Sequence, residues 1–315
     1  MGIPELISRR GALAAGYTDY ELGGRGWCRV RRGHYLDAAS AVGLSGTERH
    51  LVAVRAASAS VSRDAVVSHV SAAVVHELPL WSVPISRVHM TRDRGGGGRT
   101  RRQLVVHRGR IRSDDQVEVD GLQVTSAART VVDLARTLPF EQSVVIGDAA
   151  LRMGKTSRYE LDEQLARAAR RSGCPAAKRV SGFLDGRAES VGESRSRVAL
   201  RELNLPAPEL QARLLAPDET QVARVDFLWP DLGVVGEFDG MIKYRTELRG
   251  PRTPEEVVIA EKIREDALRA LGWIVIRWTW QDLNHSTQWL HRLHSASTIT
   301  RHTPRLGSWL PTPRI

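Results

Sequence analysis

The spacing of apolar and polar positions divides the chain into many short elements. Near the N-terminus Ser8 is placed to cap a helix over 9–15 that Gly16 ends, and Thr18 caps 19–22 with Glu21 three residues on, the spacing of a capping box. Gly23-Gly24-Arg25-Gly26 breaks the helical pattern, and residues 27–36 then alternate as two strands around Arg31-Arg32-Gly33. Helix, turn, helix and basic hairpin form a winged helix-turn-helix arrangement. Its second helix suits a major groove, while arginines of the wing and its approach, here Arg25, Arg29, Arg31 and Arg32, reach phosphates or the minor groove. The same elements also suit a small domain that docks on its neighbour.

Residues 47–180 mix helix and strand periodicities. A helix with an apolar face is expected over 68–78, strands at 88–91 and 104–107, and a turn at Asp120-Gly121 leading to a helix over 125–136. Two more helices are expected at 140–152 and 158–171. Between the two strands, 92–102 carries four consecutive glycines flanked by five arginines. That run suits either a phosphate clamp or a basic surface loop, and it has no Lys-Ser/Thr of a phosphate-binding loop.

The C-terminal third concentrates acids in a strand context. Glu193 opens an amphipathic helix that begins near Ser190 and reaches Leu203. Two strands, 222–229 and 232–240, are separated by a Pro230-Asp231 turn and should pair as a hairpin. Glu237 and Asp239 then share a face by the two-residue period, and Asp226 is offered from the adjacent strand. Oxygen donors gathered this way, with Glu193 from the preceding helix, suit Mg²⁺ or Mn²⁺, and such a metal activates water and offsets charge on a phosphate. An ammonium near the acids would help orient the nucleophile. Lys243 follows Asp239 by four residues, and Lys262 lies on a helix expected over 255–271, four residues before Asp266. The competing reading makes these acids a surface set neutralised by Arg224, Arg264 and their neighbours. Residues 272–280 then alternate as a buried strand, so Trp273, Trp278 and Trp280 are expected in the core rather than stacked on bases.

Composition sharpens the picture. Residues 1–112 hold 18 Arg against 8 acids, while the remainder holds 28 residues of each sign, so the net charge of +10 sits wholly in the first third. A one-sided positive field attracts polyanions, of which nucleic acid is the commonest inside cells, or is simply a solvated surface. Of 46 basic residues only four are Lys, so two lysines close to the acidic cluster carry some information about chemistry. Cys28 and Cys174 cannot make a disulfide framework or a zinc site, and His285, His291, His294 and His302 lack ligand spacing. No secretory pattern and no apolar run of membrane-spanning length occurs, which predicts a cytoplasmic protein with no membrane partner. The motifs of serine hydrolases, zinc peptidases and dinucleotide-binding enzymes are missing.

Gly16-Tyr17-Thr18, Arg31-Arg32-Gly33-His34-Tyr35, residues 68–73 and residues 125–134 together resemble the AbiEi-type antitoxin and regulator proteins of type IV toxin–antitoxin systems. This resemblance covers roughly residues 1–150 and implies DNA binding, autoregulation and a cognate toxin or a homodimer as partner. Glu193-Ser194-Arg195, residues 224–230, residues 236–240 and residues 262–268 leading to 272–278 resemble the PD-(D/E)xK nucleases, within them the very-short-patch-repair-like endonucleases. This second resemblance covers about 187–290. It implies a phosphodiester hydrolase with Asp226, Glu237 and Glu193 as metal-binding acids, assisted by Asp239. Asp239 stands where that family's name places lysine, so the lysine role passes to Lys243 or Lys262, or activity is lost. The expected fold is α/β (α+β multidomain): a winged helix-turn-helix over 1–45, a mixed α/β domain over 46–180, a restriction-endonuclease-like mixed sheet flanked by helices over 181–300, and a tail over 301–315. The alternative function is a non-catalytic, antitoxin-like transcriptional regulator that keeps the nuclease fold as a scaffold.

Overall fold

The computed structural model describes residues 4–62, 64–93, 98–240, 253–284, 286–300 and 302–314. Lys243, His285 and residues 94–97 of the glycine-rich run lie outside the described residues. The protein is mixed α/β, with three sheets among the described residues, and it divides into two compact units, Met1–Phe183 and Leu184–Ile315.

In the first unit, β1 (Ile7–Ser8) leads into α1 (Arg9–Ala14) and α2 (Asp19–Leu22). Ser8 Oγ accepts from the Gly11 amide at 3.0 Å and Thr18 makes both halves of its capping box with Glu21, so both expected helix starts are present. β2 (Trp27–Arg31) and β3 (His34–Asp37) follow, and β1-β3-β2 form an antiparallel sheet. After α3 (Ala38–Ala41), α4 (Gly46–Ser60) packs on β2 as well as on β4 (Ala65–Val67) and β5 (Val88–Arg92). The first 45 residues share one compact unit with the segment after them. The remaining elements are α5 (His69–Val75), β6 (Arg99–Thr100), β7 (Leu104–Arg108), β8 (Gln116–Val119) and β9 (Leu122–Thr125). Four helices close the unit: α6 (Ala127–Ala135), α7 (Phe140–Arg152), α8 (Arg158–Arg167) and α9 (Cys174–Ser181). The six-stranded sheet has the order β6-β7-β5-β4-β9-β8 and a core built on Val54, Val67, Ala72, Met90, Leu104 and Val124. Asp120 and Gly121 both take positive φ, 49° and 75°, which makes the expected two-residue turn between β8 and β9. α6 is buried on every side and packs against α5, α7, α8 and α9, so Arg129 and Asp133 are enclosed with it.

The second unit is a five-stranded sheet in the order β13-β12-β11-β10-β14, built from β10 (Glu209–Leu215), β11 (Gln221–Trp229), β12 (Val234–Phe238), β13 (Ile274–Trp278) and β14 (Ser308–Leu310). β12 and β13 run parallel and all other neighbours antiparallel. Its helices are α10 (Val191–Glu202), α11 (Pro254–Ala270), α12 (Trp280–Asn284) and α13 (Ser286–Thr300). One face packs Leu200, Phe227, Trp229, Trp278 and Trp289; the other packs Ala212, Val225, Val235, Leu268 and Trp273. Trp273 and Trp278 are thus core residues, as their strand pattern predicts. Residues 301–315, expected as a tail, instead carry the edge strand β14, because Trp309 pairs with Leu214 and packs on the second face. No described helix is long and apolar enough to cross a membrane.

Candidate active site

The acids of the second unit meet where its central strands part. Leu210 pairs with Phe227 and both face the first core, whereas Ala212 pairs with Val225 and both face the second. A two-residue step ordinarily keeps side chains on one face, so both strands switch faces at Gln211 and Asp226. Gln211 has a φ of +55°, a left-handed conformation that costs a non-glycine residue about 1 kcal/mol. On the other side of β11, pairing with β12 runs from Trp229↔Val234 to Phe227↔Gly236. One step further, the Phe238 amide donates to Asp226 Oδ2 at 3.0 Å, so a side chain continues the hydrogen bonding where the backbones diverge.

Glu193 reaches this fork from the first turn of α10. Ser190 caps the helix by accepting from the Glu193 amide at 3.1 Å, and the Glu193 carboxylate accepts from the Glu189 amide at 2.9 Å. The helix start seats tightly on β12: a Cβ built on Gly192 would lie 1.8 Å from Phe238 Cε1. Trp278 Nε1 donates to Ser196 Oγ at 2.7 Å and ties the same helix to β13. Gln211 Nε2 then donates to Glu193 Oε2 at 2.8 Å and, at 3.4 Å, to Asp226 Oδ1, bridging the two carboxylates. Glu193 is only 7% exposed. Burial and the Asp226 charge raise its pKa to about 7, while burial and the Glu237 charge raise that of Asp226 to about 6. The hydrogen bonds from backbone and Gln211 only partly oppose these shifts.

The other predicted site residues have different surroundings. Glu237 lies one strand over, but its Oε1 is 2.7 Å from Arg264 Nη2 on α11 and its Oε2 is 3.0 Å from Arg277 Nε on β13. Both arginines also pair with Glu261, at 2.6 Å each. The parallel register that sets Arg277 beside Glu237 creates this lock. Asp239 is half-buried just past β12, where its amide donates to the Trp278 carbonyl at 2.8 Å. Lys262 is exposed on α11, and Asp266 there pairs with Arg269 at 3.7 Å rather than with the lysine. Among the described residues no three His, Cys, Asp or Glu side chains form a ready-made metal cage. Gln211 is the residue that sequence reasoning missed. Its signal is an amide in the middle of the alternating run 209–215.

In the first unit, Arg29, Arg31 and Arg32 line one cavity of about 430 Å³ with Arg101 and Arg102, which come from the turn before β7. Arg25 borders a different cavity, with Tyr17, Tyr20 and Trp27. Three of the four expected DNA-contacting arginines therefore converge, and two unexpected ones join them.

No family model matches the chain. It is similar to two proteins of Mycobacterium tuberculosis, "Uncharacterized protein MT2308" of strain CDC 1551 / Oshkosh and "Uncharacterized protein Rv2248" of strain ATCC 25618 / H37Rv. Each match is 33% identical over 187 residues, which is 59% of this chain and 64% of the relative. The match thus spans somewhat less than two thirds of those relatives.

Proposed function

We propose that the protein binds DNA and that its second unit hydrolyses phosphodiester bonds with Mg²⁺ or Mn²⁺ held by Glu193 and Asp226. The observation that carries this reading is the buried carboxylate of Glu193 and the half-buried one of Asp226, bridged by Gln211 and each raised in pKa by desolvation and like charge. Two desolvated acids side by side need either a proton or a cation, and an all-oxygen donor set selects hard divalent metals. A metal bound there supplies an activated water and offsets charge on the scissile phosphate. Gln211 sets the spacing of the two carboxylates, the Phe238 amide orients Asp226, and the capped start of α10 orients Glu193. Glu237 is the third acid of the resemblance and would complete the donor set, although Arg264 and Arg277 hold both its oxygens in this structure. By the same resemblance Asp239 would assist and Lys243 or Lys262 would supply the ammonium near the nucleophile; Lys262 is exposed on α11.

DNA is gripped by the first unit, read as a winged helix with α2 as its groove-entering helix. Arg29, Arg31, Arg32, Arg101 and Arg102 form a phosphate-binding cleft, and the C-terminal sheet is read as a restriction-endonuclease-like scaffold. The protein works in the cytoplasm, with a homodimer or a cognate toxin as its protein partner. The test is calorimetric titration of Mn²⁺ into the wild type and Asp226→Asn, beside cleavage of supercoiled DNA. Binding and nicking that are both lost in the variant support the proposal; equal Mn²⁺ binding by both proteins refutes it.

The ion pairs of Glu237 favour a second reading, a non-catalytic regulator that keeps the nuclease fold as a scaffold. It predicts tight, salt-dependent binding to one operator with no strand scission in any metal.

A further inference from the structure

The first unit encloses a second concentration of polar groups that the nuclease reading does not use. A cavity of about 650 Å³ opens between β7, the buried helix α6 and the end of the segment after α8. Its floor is Asp133, which is 1% exposed and faces three guanidinium groups. Arg129 Nε lies 2.6 Å from Asp133 Oδ2, and Arg136 Nη1 and Arg171 Nη1 lie 2.8 and 3.8 Å from Oδ1. At the mouth stand Arg99 and Arg108, both exposed, with no acidic partner among the described residues. Five guanidiniums thus line a cavity with one carboxylate.

Part of that charge is compensated from outside. Arg129 also pairs with Asp115 at 3.2 Å, and Asp115 is itself held by Gln164 and Arg167. Arg171 is less well matched: burial and then the charge of Arg129 lower its pKa, against weaker opposing pulls from Asp133 and Asp115. Cations that outnumber the carboxylate and repel one another in an open cavity are arranged for an anion, and guanidinium forks match the tetrahedral oxygens of a phosphoryl group.

One wall of the cavity is aromatic. The ring of His69 stacks on that of His107 with centroids 3.6 Å apart, and His89 Nδ1 meets His107 Nε2 at 3.0 Å. Burial holds His69 down to about 3 and His89 to about 4 and lowers His107 as well, so all three rings are neutral at pH 7. His69 and His107, which line the cavity, offer ring surface and hydrogen bonding instead of charge. His69 holds a left-handed φ of +51°, strain retained at the wall of the cavity.

We propose that this cavity binds a phosphate monoester of nucleotide size, its phosphoryl group between Arg171 and Arg108 and its organic part against the His69–His107 wall. The volume falls in the range of small-ligand sites. A free nucleotide and the 5′ end of a nucleic acid both carry such a phosphate, and the recognition is the same. This assignment is independent of the carboxylate pair in the second unit.

The test is isothermal titration calorimetry of the full chain at low salt, with chelator throughout so that the carboxylate pair takes up no metal. The probes are AMP, adenosine, inorganic phosphate, and one short oligonucleotide with and without a 5′-phosphate. The expected result is binding of AMP but not adenosine, competition by inorganic phosphate, and a loss of about tenfold in affinity for Arg171→Ala and for Arg108→Ala. Arg108 is exposed, so its variant keeps the assay valid if Arg171→Ala fails to fold. Preference for the phosphorylated oligonucleotide over AMP assigns the site to nucleic-acid ends, and preference for AMP assigns it to free nucleotides. Adenosine binding as well as AMP, no binding of any phosphate probe, or unchanged affinity in Arg108→Ala overturns the proposal.

Discussion

Replacing Glu193 by Gln should stabilise the protein most above neutral pH, by an amount that shrinks as pH falls and vanishes below about pH 4.5. A carboxyl whose pKa is 4.5 in ordinary surroundings and about 7 when folded is disfavoured in its ionised form. The shift corresponds to about 3 kcal/mol above pH 7. The folded-state pKa is raised, so the stabilising effect of the proton is complete below about pH 4.5 and is lost as pH rises through 7. The neutral amide removes this cost, keeps an oxygen for the Glu189 amide and Gln211 Nε2, and relieves Asp226 of a neighbouring charge. Part of the cost is shared with Asp226, so the net gain at pH 8 should be roughly 2 kcal/mol, a rise in midpoint of about 6 °C. Five histidines of the first unit, the buried His50, His69 and His76 and the half-buried His89 and His107, have lowered pKa values and destabilise the fold as pH falls below 6.5. The difference between variant and wild type, followed from about pH 4 to 8, isolates the carboxylate. Six of the eight tryptophans belong to the second unit, so tryptophan fluorescence on heating reports mainly the relevant transition. Mn²⁺ should raise the wild-type midpoint at pH 8 and leave that of Glu193→Gln nearly unmoved. A variant no more stable than wild type at pH 8, or a gain independent of pH, would refute the assignment of a strained carboxylate pair.

Three further outcomes are expected. Gln211→Leu leaves both carboxylates without their shared donor and should cost about 1–3 kcal/mol at pH 8, read from urea unfolding, with loss of metal-dependent cleavage. Gly192→Ala drives a methyl into Phe238, so either the start of α10 or the ring must shift; a cost of roughly 1–3 kcal/mol and weakened Mn²⁺ binding by calorimetry should follow. Arg31→Ala combined with Arg101→Ala should weaken DNA binding and flatten the dependence of log K on log salt by about 0.9 for each phosphate no longer neutralised. Fluorescence anisotropy at several salt concentrations measures that slope, and an unchanged slope removes these arginines from the interface.

Much of the local structure was legible because short-range chemistry decides it. Ser8, Thr18 and Glu21 mark their helix starts through hydrogen bonds that span three residues. The alternation of 222–229 and 234–238 marks the hairpin, and Ser190 places Glu193 in the first turn of α10. The less legible features depend on the tertiary arrangement. β10 is introduced by Pro206-Ala207-Pro208 and alternates without a break through Leu210, Ala212 and Leu214, so the change of face at Gln211 leaves no mark in its pattern. β14 has only three residues and gains its hydrogen bonds from β10, so its short run carries little pattern of its own. The arginine lock on Glu237 comes from the register between two strands separated by a long helix, which a linear pattern does not encode. Likewise Arg99 and Arg129 come to one cavity from distant elements.

Strand scission of supercoiled DNA by wild type and by the Asp226→Ala/Glu193→Gln double variant, with Mg²⁺, with Mn²⁺ and with chelator, tests the central claim most directly. Nicking by the wild type in either metal, abolished by chelator and by the double variant while DNA affinity is retained, is the expected result. Equal inertness of both proteins across varied DNA substrates that each of them binds would contradict the account and leave the protein a DNA-binding regulator.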